Sequence, residues 1–351
     1  MANMAQAIRM ALHYGEAHLG VVDIFGQDVG APLGGVFTAT QGLETAWNTP
    51  LDERGIVGMA TGIAMAGDRC VAEIQFCDYI FNTIDLLKIA GNTRWCTNGQ
   101  YSVPLVLMTP VGAGIHGSVY HSHSFDAWAT RLQGWKIVMP STPLDAYGLL
   151  LSAICDPNPV LYLKPKALMR VRGEDLIPGE PAEEKDLRAM IDAPLGDRSH
   201  WRPSWPDLQE YKVPIGQAKV TRAGDQATIV TYGRHVLMCN EVADQMRELG
   251  VGVEVIDLRT LYPYDWQTIK ASVAKTKRVL FVNEDTEVTN FAEHLVYRVV
   301  RELFYDLWAC PRVLAGKNVP GIGLHPNLER ATVPQVADIR SELEQLLSDV
   351  P

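Results

Sequence analysis

Residues 49–58 read Thr49-Pro50-Leu51-Asp52-Glu53-Arg54-Gly55-Ile56-Val57-Gly58. They begin an apolar, glycine-punctuated segment that ends in Val71-Ala72-Glu73-Ile74-Gln75-Phe76. Gly58 and Gly62 share one face of the predicted helix, so another backbone can approach that face closely. Glu53, at the head of this helix, is a candidate for proton transfer. It is equally an N-terminal acid that the helix dipole favours. The spacing alone leaves both interpretations open.

The length, composition and charge of the chain exclude several classes of function. The 351 residues are 47% hydrophobic and 21% charged, enough for two domains with sizeable cores. The formal net charge of −10 argues against nucleic acid and anionic membrane as partners. No apolar run approaches the ~20 residues of a membrane span, and residues 1–6 lack a signal pattern, so we expect a cytoplasmic protein if the source is bacterial. The six cysteines form no C-x-x-C pair and are expected to be reduced packing residues.

Alternating strand and helix patterns predict an α/β fold with two doubly wound domains. The predicted strand Val21–Phe25 runs into Gly26-Gln27-Asp28-Val29-Gly30, a turn at the end of a strand where ligands bind in open sheets. The alternation lapses near Val171 and resumes after Pro214. We therefore divide the chain into a first domain at 1–170, a linker with an insertion at 171–213 and a second domain at 214–351. Two tryptophans of the linker, Trp201 and Trp205, are expected to be exposed.

A glycine-rich segment follows the predicted strand at residues 104–108. Its sequence Gly112-Ala113-Gly114-Ile115-His116-Gly117 has the spacing of a dinucleotide fingerprint, but neither a helix nor a suitably placed acid follows. A glycine loop that presents histidines over a pocket is the better interpretation. Because no Asp, Glu or Cys lies close by, His116, His121 and His123 do not suggest a zinc site. Acid–base work by one of them, or mere bonding to the backbone, both remain open.

Motifs along almost the whole chain resemble those of the β subunit of the thiamine-diphosphate-dependent E1 component of 2-oxoacid dehydrogenases. The segment 72–81, Ala72-Glu73-Ile74-Gln75-Phe76-Cys77-Asp78-Tyr79-Ile80-Phe81, looks most like the branched-chain type. The other motifs that carry the resemblance are Gly26 to Gly30, Gly34-Gly35-Val36-Phe37, Thr49 to Gly58, His121-Ser122-His123-Ser124, Pro140-Ser141-Thr142-Pro143, Asp156-Pro157-Asn158-Pro159-Val160, Thr228 to Gly233 and Val255 to Leu261. The resemblance implies a pyrimidine-binding first domain and a transketolase-type second domain.

The resemblance also implies individual roles. Glu53 matches the glutamate that bonds the aminopyrimidine ring and favours the imino tautomer, which removes the proton from the thiazolium carbon. His121 matches the histidine that assists substrate binding and acyl transfer to the lipoyl group. The positions that match the lining of the aminopyrimidine pocket are Leu51, Gln75 and Tyr79. The positions that match a potassium site of some members are Ala153, Asp156 and Asn158.

Some features depart from the family pattern. Gln27 and Lys164 each replace a glutamate, His123 replaces a glutamine, and the segment 182–208 is longer than usual. The Gly-Asp-Gly motif that binds the diphosphate and Mg²⁺ does not occur in the sequence. We therefore expect an E1 α subunit to hold most of the Mg²⁺ site in an α2β2 assembly, with a lipoyl-bearing E2 acyltransferase as acceptor. Alternatives are a pyruvate or acetoin dehydrogenase E1 β subunit, or a drifted, non-catalytic assembly subunit.

Overall fold

The computed structural model describes residues 1–194, 196 and 200–349. Two compact units divide the chain, Met1–Pro110 with Leu132–Ile215 and Val111–Arg131 with Gly216–Pro351. The helices are α1 Met4–His18, α2 Glu53–Met65, α3 Ile84–Cys96, α4 Asp126–Ala129, α5 Pro143–Cys155, α6 Glu184–Ile191, α7 His235–Glu248, α8 Trp266–Thr276, α9 Phe291–Leu303, α10 Pro326–Thr332 and α11 Val336–Ser348. The strands are β1 Val21–Gly26, β2 Ala46–Asn48, β3 Arg69–Glu73, β4 Leu105–Val111, β5 Lys136–Val138, β6 Val160–Pro165, β7 Lys219–Arg222, β8 Ala227–Thr231, β9 Val253–Asp257, β10 Thr260–Tyr262, β11 Val279–Thr286 and β12 Arg312–Gly316.

The first unit is built on strands in the order β5-β6-β4-β3-β1-β2. Strand β1 is parallel to both β2 and β3, with Gly26 opposite Glu73, and β3 is parallel to β4. Every residue of β4 is buried, as expected of a strand covered on both faces. Because the strands run the same way, the residues that follow β1 and β3 lie at one edge of the sheet. This is the edge where a parallel sheet binds ligands.

The described part of the segment 171–213 belongs to the first unit and includes α6, which the sequence did not predict. The buried Arg9 of α1 donates to the Ile191 carbonyl at 2.5 Å and to the Asp192 carboxylate at 3.0 Å. The expected exposure of both tryptophans is wrong, since each is half-buried. The Trp205 ring stacks on His13 with centroids 4.1 Å apart. An aromatic partner on α1 therefore covers part of this segment.

The second unit has strand order β12-β11-β8-β9-β7. Strand β8 is parallel to β9 and β11, whereas the edge strand β7 is antiparallel to β9. Its core joins apolar residues of these strands to those of α7 and α11. The predicted fold class, two doubly wound α/β domains, is confirmed, with a mixed second sheet. Among the described residues, no helix has the length and apolarity needed to cross a membrane.

One predicted helix has a different form. Instead of one helix from about Tyr79 to Thr93, a 3₁₀ segment, Cys77–Thr83, precedes α3. Its buried residues Cys77, Ile80 and Thr83 are spaced by three, the repeat that brings side chains onto one face of a 3₁₀ helix. This shape puts Tyr79 and Asn82 beside the start of α2, where the candidate site lies.

Candidate active site

Glu53 is the first residue of α2 and is half-buried. The Asn82 side-chain amide donates to its carboxylate at 3.2 Å. Tyr79 lies in the same 3₁₀ segment as Asn82, and burial, followed by the charges of Asp78 and Glu53, raises the pKa of its phenol. Leu51 lies two residues before Glu53 with 71% of its surface exposed. The structure thus brings an acid, an aromatic ring and an exposed apolar side chain together in the first unit.

Gln75 follows β3 and bonds to the turn after β1. Its side-chain amide donates to the Asp28 carboxylate at 2.7 Å, and Asp28 has a positive φ of 60°. Asp28 is a contact that sequence reasoning missed. The residue before it, Gln27, is half-buried. The bond between Asp28 and Gln75 fixes both turns at the carboxyl edge of the sheet.

Lys164 compensates a buried charge. Its ammonium forms an ion pair with the Glu73 carboxylate, and the two side chains are 0% and 1% exposed. Glu73 also accepts a long hydrogen bond from the Val36 backbone N–H at 3.4 Å. Lys164, one of the departures noted from the resemblance, therefore neutralises the buried acid at the end of β3.

The segment from Gly112 to Ser124, termed the histidine loop below, belongs to the second unit. His121 follows the 3₁₀ turn Ser118–Tyr120, is half-buried, and places its Nδ1 3.2 Å from the Gly117 carbonyl oxygen. Because a carbonyl only accepts, Nδ1 carries the proton in the neutral ring and Nε2 carries the lone pair. His123 is exposed. The Gly117 carbonyl thus favours one tautomer of the neutral His121 ring.

Three acidic residues distant in sequence hold the polypeptide around the histidine loop. The Glu284 carboxylate accepts from the Ala113 N–H at 2.9 Å, and a Cβ on Gly112 would lie 2.2 Å from it. An added side chain there would displace the carboxylate from the Ala113 N–H, and the φ of 85° also favours glycine. The other two contacts run from the N–H of His116 to Glu329 at 3.0 Å and from the N–H of Ala127 to Asp285 at 2.9 Å. These contacts join residues that are far apart in the sequence, so no local sequence pattern predicts them.

Asp126, which begins α4, is a buried acid beside two of these carboxylates. Burial raises the pKa of the Asp126 carboxyl well above its ordinary value, and the charges of Asp285 and Glu284 add to the shift. Burial likewise raises the pKa of Asp285, against the hydrogen bonds from the Ala127 and Thr286 N–H groups. The elevated pKa of Asp126 favours its neutral form at the base of the histidine loop.

The three residues of the predicted potassium site lie together at the end of α5. One Asp156 carboxylate oxygen accepts from both the backbone N–H and the side-chain amide of Asn158 at 2.9 Å. The other oxygen pairs with the Lys136 ammonium. The N–H of Asp156 bonds to the Ala153 carbonyl at 3.2 Å. An ion here would therefore rely on carbonyl oxygens, since the carboxylate already has cationic and amide partners. No cluster of three His, Cys, Asp or Glu side chains suited to a metal is found in the described ranges.

Comparison with known proteins identifies the family. The family model "Transketolase, pyrimidine binding domain" matches residues 1–172, and "Transketolase, C-terminal domain" matches 216–339. The chain is 37% identical to the 2-oxoisovalerate dehydrogenase subunit beta of Bacillus subtilis (strain 168), over 88% of this chain and 87% of that protein. The chain belongs to the family of 2-oxoacid dehydrogenase β subunits. The resemblance stated from the sequence motifs is thereby confirmed.

Other 2-oxoacid dehydrogenase β subunits match over similar lengths. The pyruvate dehydrogenase E1 component subunit beta of Acholeplasma laidlawii is 35% identical, over 90% of this chain and 88% of that one. A solved structure, "Split gene transketolase, inactive beta4 tetramer", superposes with a TM-score of 0.69 at 15% identity, covering 99% of this chain and 98% of that chain. At that identity the superposition shows the shared fold alone.

Proposed function

We propose that this chain is the β subunit of an E1 2-oxoacid dehydrogenase. With an α subunit in an α2β2 assembly, it carries out thiamine-diphosphate-dependent oxidative decarboxylation of a 2-oxoacid and reductive acylation of the lipoyl group of an E2 acyltransferase. The observation that carries the proposal is Glu53 at the start of α2, half-buried and hydrogen-bonded by the Asn82 amide, inside the segment matched by the pyrimidine-binding family model. Branched-chain 2-oxoacids are the preferred substrate class, supported by the relatives named 2-oxoisovalerate dehydrogenase.

The residues around Glu53 fit an aminopyrimidine ring. Thiamine diphosphate, when bound, supplies a nucleophilic carbon and an electron sink for decarboxylation. Glu53 holds a proton toward the ring nitrogen, while Tyr79 and Leu51 offer aromatic and apolar surface for the ring face. The 71% exposure of Leu51 supports a site that a ligand and a second subunit cover further. Gln75, fixed by its bond to Asp28, completes this half of the lining.

Other components complete the proposed site. The sequence lacks Gly-Asp-Gly, so the α subunit supplies the diphosphate cradle and holds most of the Mg²⁺ site. We also propose that a potassium ion binds at Ala153, Asp156 and Asn158, with carbonyl oxygens as its ligands. We also propose that the chain divides into domains 1–170 and 214–351, joined by the segment 171–213.

His121 is proposed to assist substrate binding and the transfer of the acyl group to the lipoyl thiol. Its Nδ1 bonds to the Gly117 carbonyl, so Nε2 is the atom that accepts or returns a proton. Histidine suits this task because its ordinary pKa lies near neutrality. His123, exposed two residues further on, offers a second ring for substrate contacts.

The decisive test is Glu53→Gln in the chain co-purified with its α partner. We expect oxoacid-dependent dye reduction to fall by about 10²–10⁴-fold, the usual contribution of a positioned acid or base, with assembly retained. The isosteric control Glu44→Gln changes an exposed glutamate of the same unit and should leave turnover intact. Unchanged turnover in Glu53→Gln would contradict the proposed role of Glu53. No binding of thiamine diphosphate by the assembled wild-type complex would favour a drifted assembly subunit instead.

Substrate class is tested by comparing kcat/KM for 2-oxoisovalerate and pyruvate in the same assembly. An apolar pocket discriminates by about 10–200-fold per methylene-sized difference. A preference of that size for 2-oxoisovalerate is expected. A preference for pyruvate would reassign the substrate while leaving the reaction type in place.

A further inference from the structure

Glu329 of α10 contacts the histidine loop at its far end. Its side chain is only 6% exposed, yet its nearest partners lie in a segment 213 residues away in sequence. It accepts from the His116 backbone N–H at 3.0 Å, and its second oxygen lies 3.4 Å from His116 Nδ1. One buried carboxylate therefore fixes both the backbone and the ring of His116.

The backbone around this contact is conformationally unusual. His116 and Ser118 have φ angles of 56° and 64°, which non-glycine residues adopt only where the surroundings hold them. Val119 also packs against Gly321, where an added Cβ would lie 2.7 Å from the valine side chain. The segment before and within α10 thus braces this part of the loop, and Glu329 supplies the polar part of the brace.

The contact continues to His121 through Gly117. Gly117 directly follows His116, and its carbonyl accepts from His121 Nδ1 at 3.2 Å. A Cβ on Gly117 would lie 2.7 Å from the His121 Cβ, so the two residues are closely packed. A shift of His116 therefore moves the carbonyl that sets the tautomer and direction of the His121 ring.

We propose that Glu329 is a positioning residue for His121, acting through the hydrogen bond to the His116 N–H and the Gly117 carbonyl. The proposal rests on the proposed function of His121 in acyl transfer. It implies that Glu329 matters more for reductive acylation of the lipoyl group than for the preceding decarboxylation. A residue with a merely structural role would affect both steps alike.

The test compares two assays on the assembled α2β2 complex, lipoyl reductive acylation and oxoacid-dependent dye reduction. In Glu329→Ala, the ratio of the two kcat values should fall about tenfold, less than the ~10²-fold that a 1 Å misplacement can cost. Glu329→Gln keeps an acceptor for the His116 N–H and should restore most of the ratio. The matched control is Glu254→Gln, a glutamate of the same unit that is 7% exposed and pairs with Lys275. Its ratio should stay at the wild-type value.

A Glu329→Ala ratio within about twofold of wild type, the spread of an inert substitution, would overturn the proposal, and so would an equal fall in Glu254→Gln. A Glu329→Gln variant as impaired as Glu329→Ala would overturn it too, because positioning is assigned to the hydrogen-bond acceptor. If Glu329→Ala does not assemble, Glu329→Asp replaces it. The aspartate keeps the charge but withdraws the acceptor by one methylene, and an unchanged ratio there counts against the proposal.

A readout without turnover separates this proposal from the proposed function. Diethyl pyrocarbonate modifies unprotonated histidine rings, and peptide mass spectrometry gives the rate at His121 relative to the exposed His18. Glu329→Ala should change this relative rate, whereas Glu254→Gln should not. If the wild-type complex shows no oxoacid-dependent turnover, the proposed function fails and the modification rates alone decide. An unchanged rate at His121 would then overturn the positioning role.

Discussion

The ion pair between Lys164 and Glu73 allows a quantitative test of how the first unit tolerates charge in its interior. Both side chains are essentially inaccessible to water, at 0% and 1% exposure. They extend from β6 and β3, strands that flank β4 in the sheet. Lys164→Met removes the ammonium and leaves the Glu73 carboxylate buried without it. Glu73 would keep its hydrogen bond from the Val36 N–H, which at 3.4 Å is too long to replace a positive charge.

Breaking a buried pair from one side typically costs about 3–5 kcal/mol, because an uncompensated charge stays in a low-dielectric interior. For a unit of this size the cost corresponds to a fall in Tm of roughly 6–20 °C. Glu73→Gln alone should cost a similar amount, since it leaves the ammonium unpaired. The double variant Glu73→Gln/Lys164→Met removes both charges, and we expect it to be more stable than either single variant.

Thermal and urea unfolding of the wild type, both single variants and the double variant give the four corners of a double-mutant cycle. The decisive quantity is the order of stability, which is insensitive to the extrapolation error of any one curve. Single variants that lose less than about 1 kcal/mol would contradict the reasoning, because an exposed pair behaves that way. A double variant that is the least stable of the four would contradict it as well.

Three further predictions concern other sites. Burial, reinforced by a neighbouring arginine, lowers the pKa of His235 to about 3. The unfolded chain therefore takes up the proton first, and stability should fall by about 1.4 kcal/mol per pH unit below about 6.5; His235→Gln should flatten this slope in urea titrations between pH 7 and 5. Gly112→Ala should lower the free energy of unfolding, measured with urea, by several kcal/mol. Gly250 has a similar φ of 80°, but among the described residues nothing lies within 4 Å of an added Cβ, so Gly250→Ala should lower it by only about 1–2 kcal/mol. Trp205→Ala should lower the free energy of unfolding by about 2 kcal/mol. In the same assay, Trp95→Ala should lower it by less than about 0.5 kcal/mol, because Trp95 is 89% exposed.

Two kinds of element were predicted correctly: those buried almost throughout, and amphipathic helices such as the one predicted over about 291–304, whose apolar residues recur on one face. Strand β4 and helix α5 consist largely of apolar residues, so composition and alternation are enough to find them. Helix α6 escaped notice because only two of its residues, Leu187 and Ile191, are buried while the rest are largely charged. The edge strand β7 escaped for a related reason, since its four residues are exposed or half-buried. Few residues of either element are buried, so the apolar pattern that predicts a helix or strand is weak in both.

The candidate site divides in a similar way. Glu53, Tyr79 and Asn82 lie within 30 residues of one another, so a local pattern could bring them together. The contacts of Glu284 and Glu329 with the histidine loop span 171 and 213 residues. The Lys164 partner is 91 residues away. No periodicity or spacing rule connects residues so far apart, because their proximity follows from the order of strands rather than from the local chain.

The open face of α2 connects the acid at its head to assembly. The glycines predicted to admit another backbone lie on that face: among the described residues, no atom comes within 4 Å of a Cβ built on Gly62, and only a Leu86 methyl does so at Gly58. Met59, on the same helix, is 43% exposed. An α subunit that packs against this face would bury apolar surface on the helix whose first residue is Glu53. Under the proposed function, the α subunit would then pack on the same helix that carries the acid for the aminopyrimidine ring.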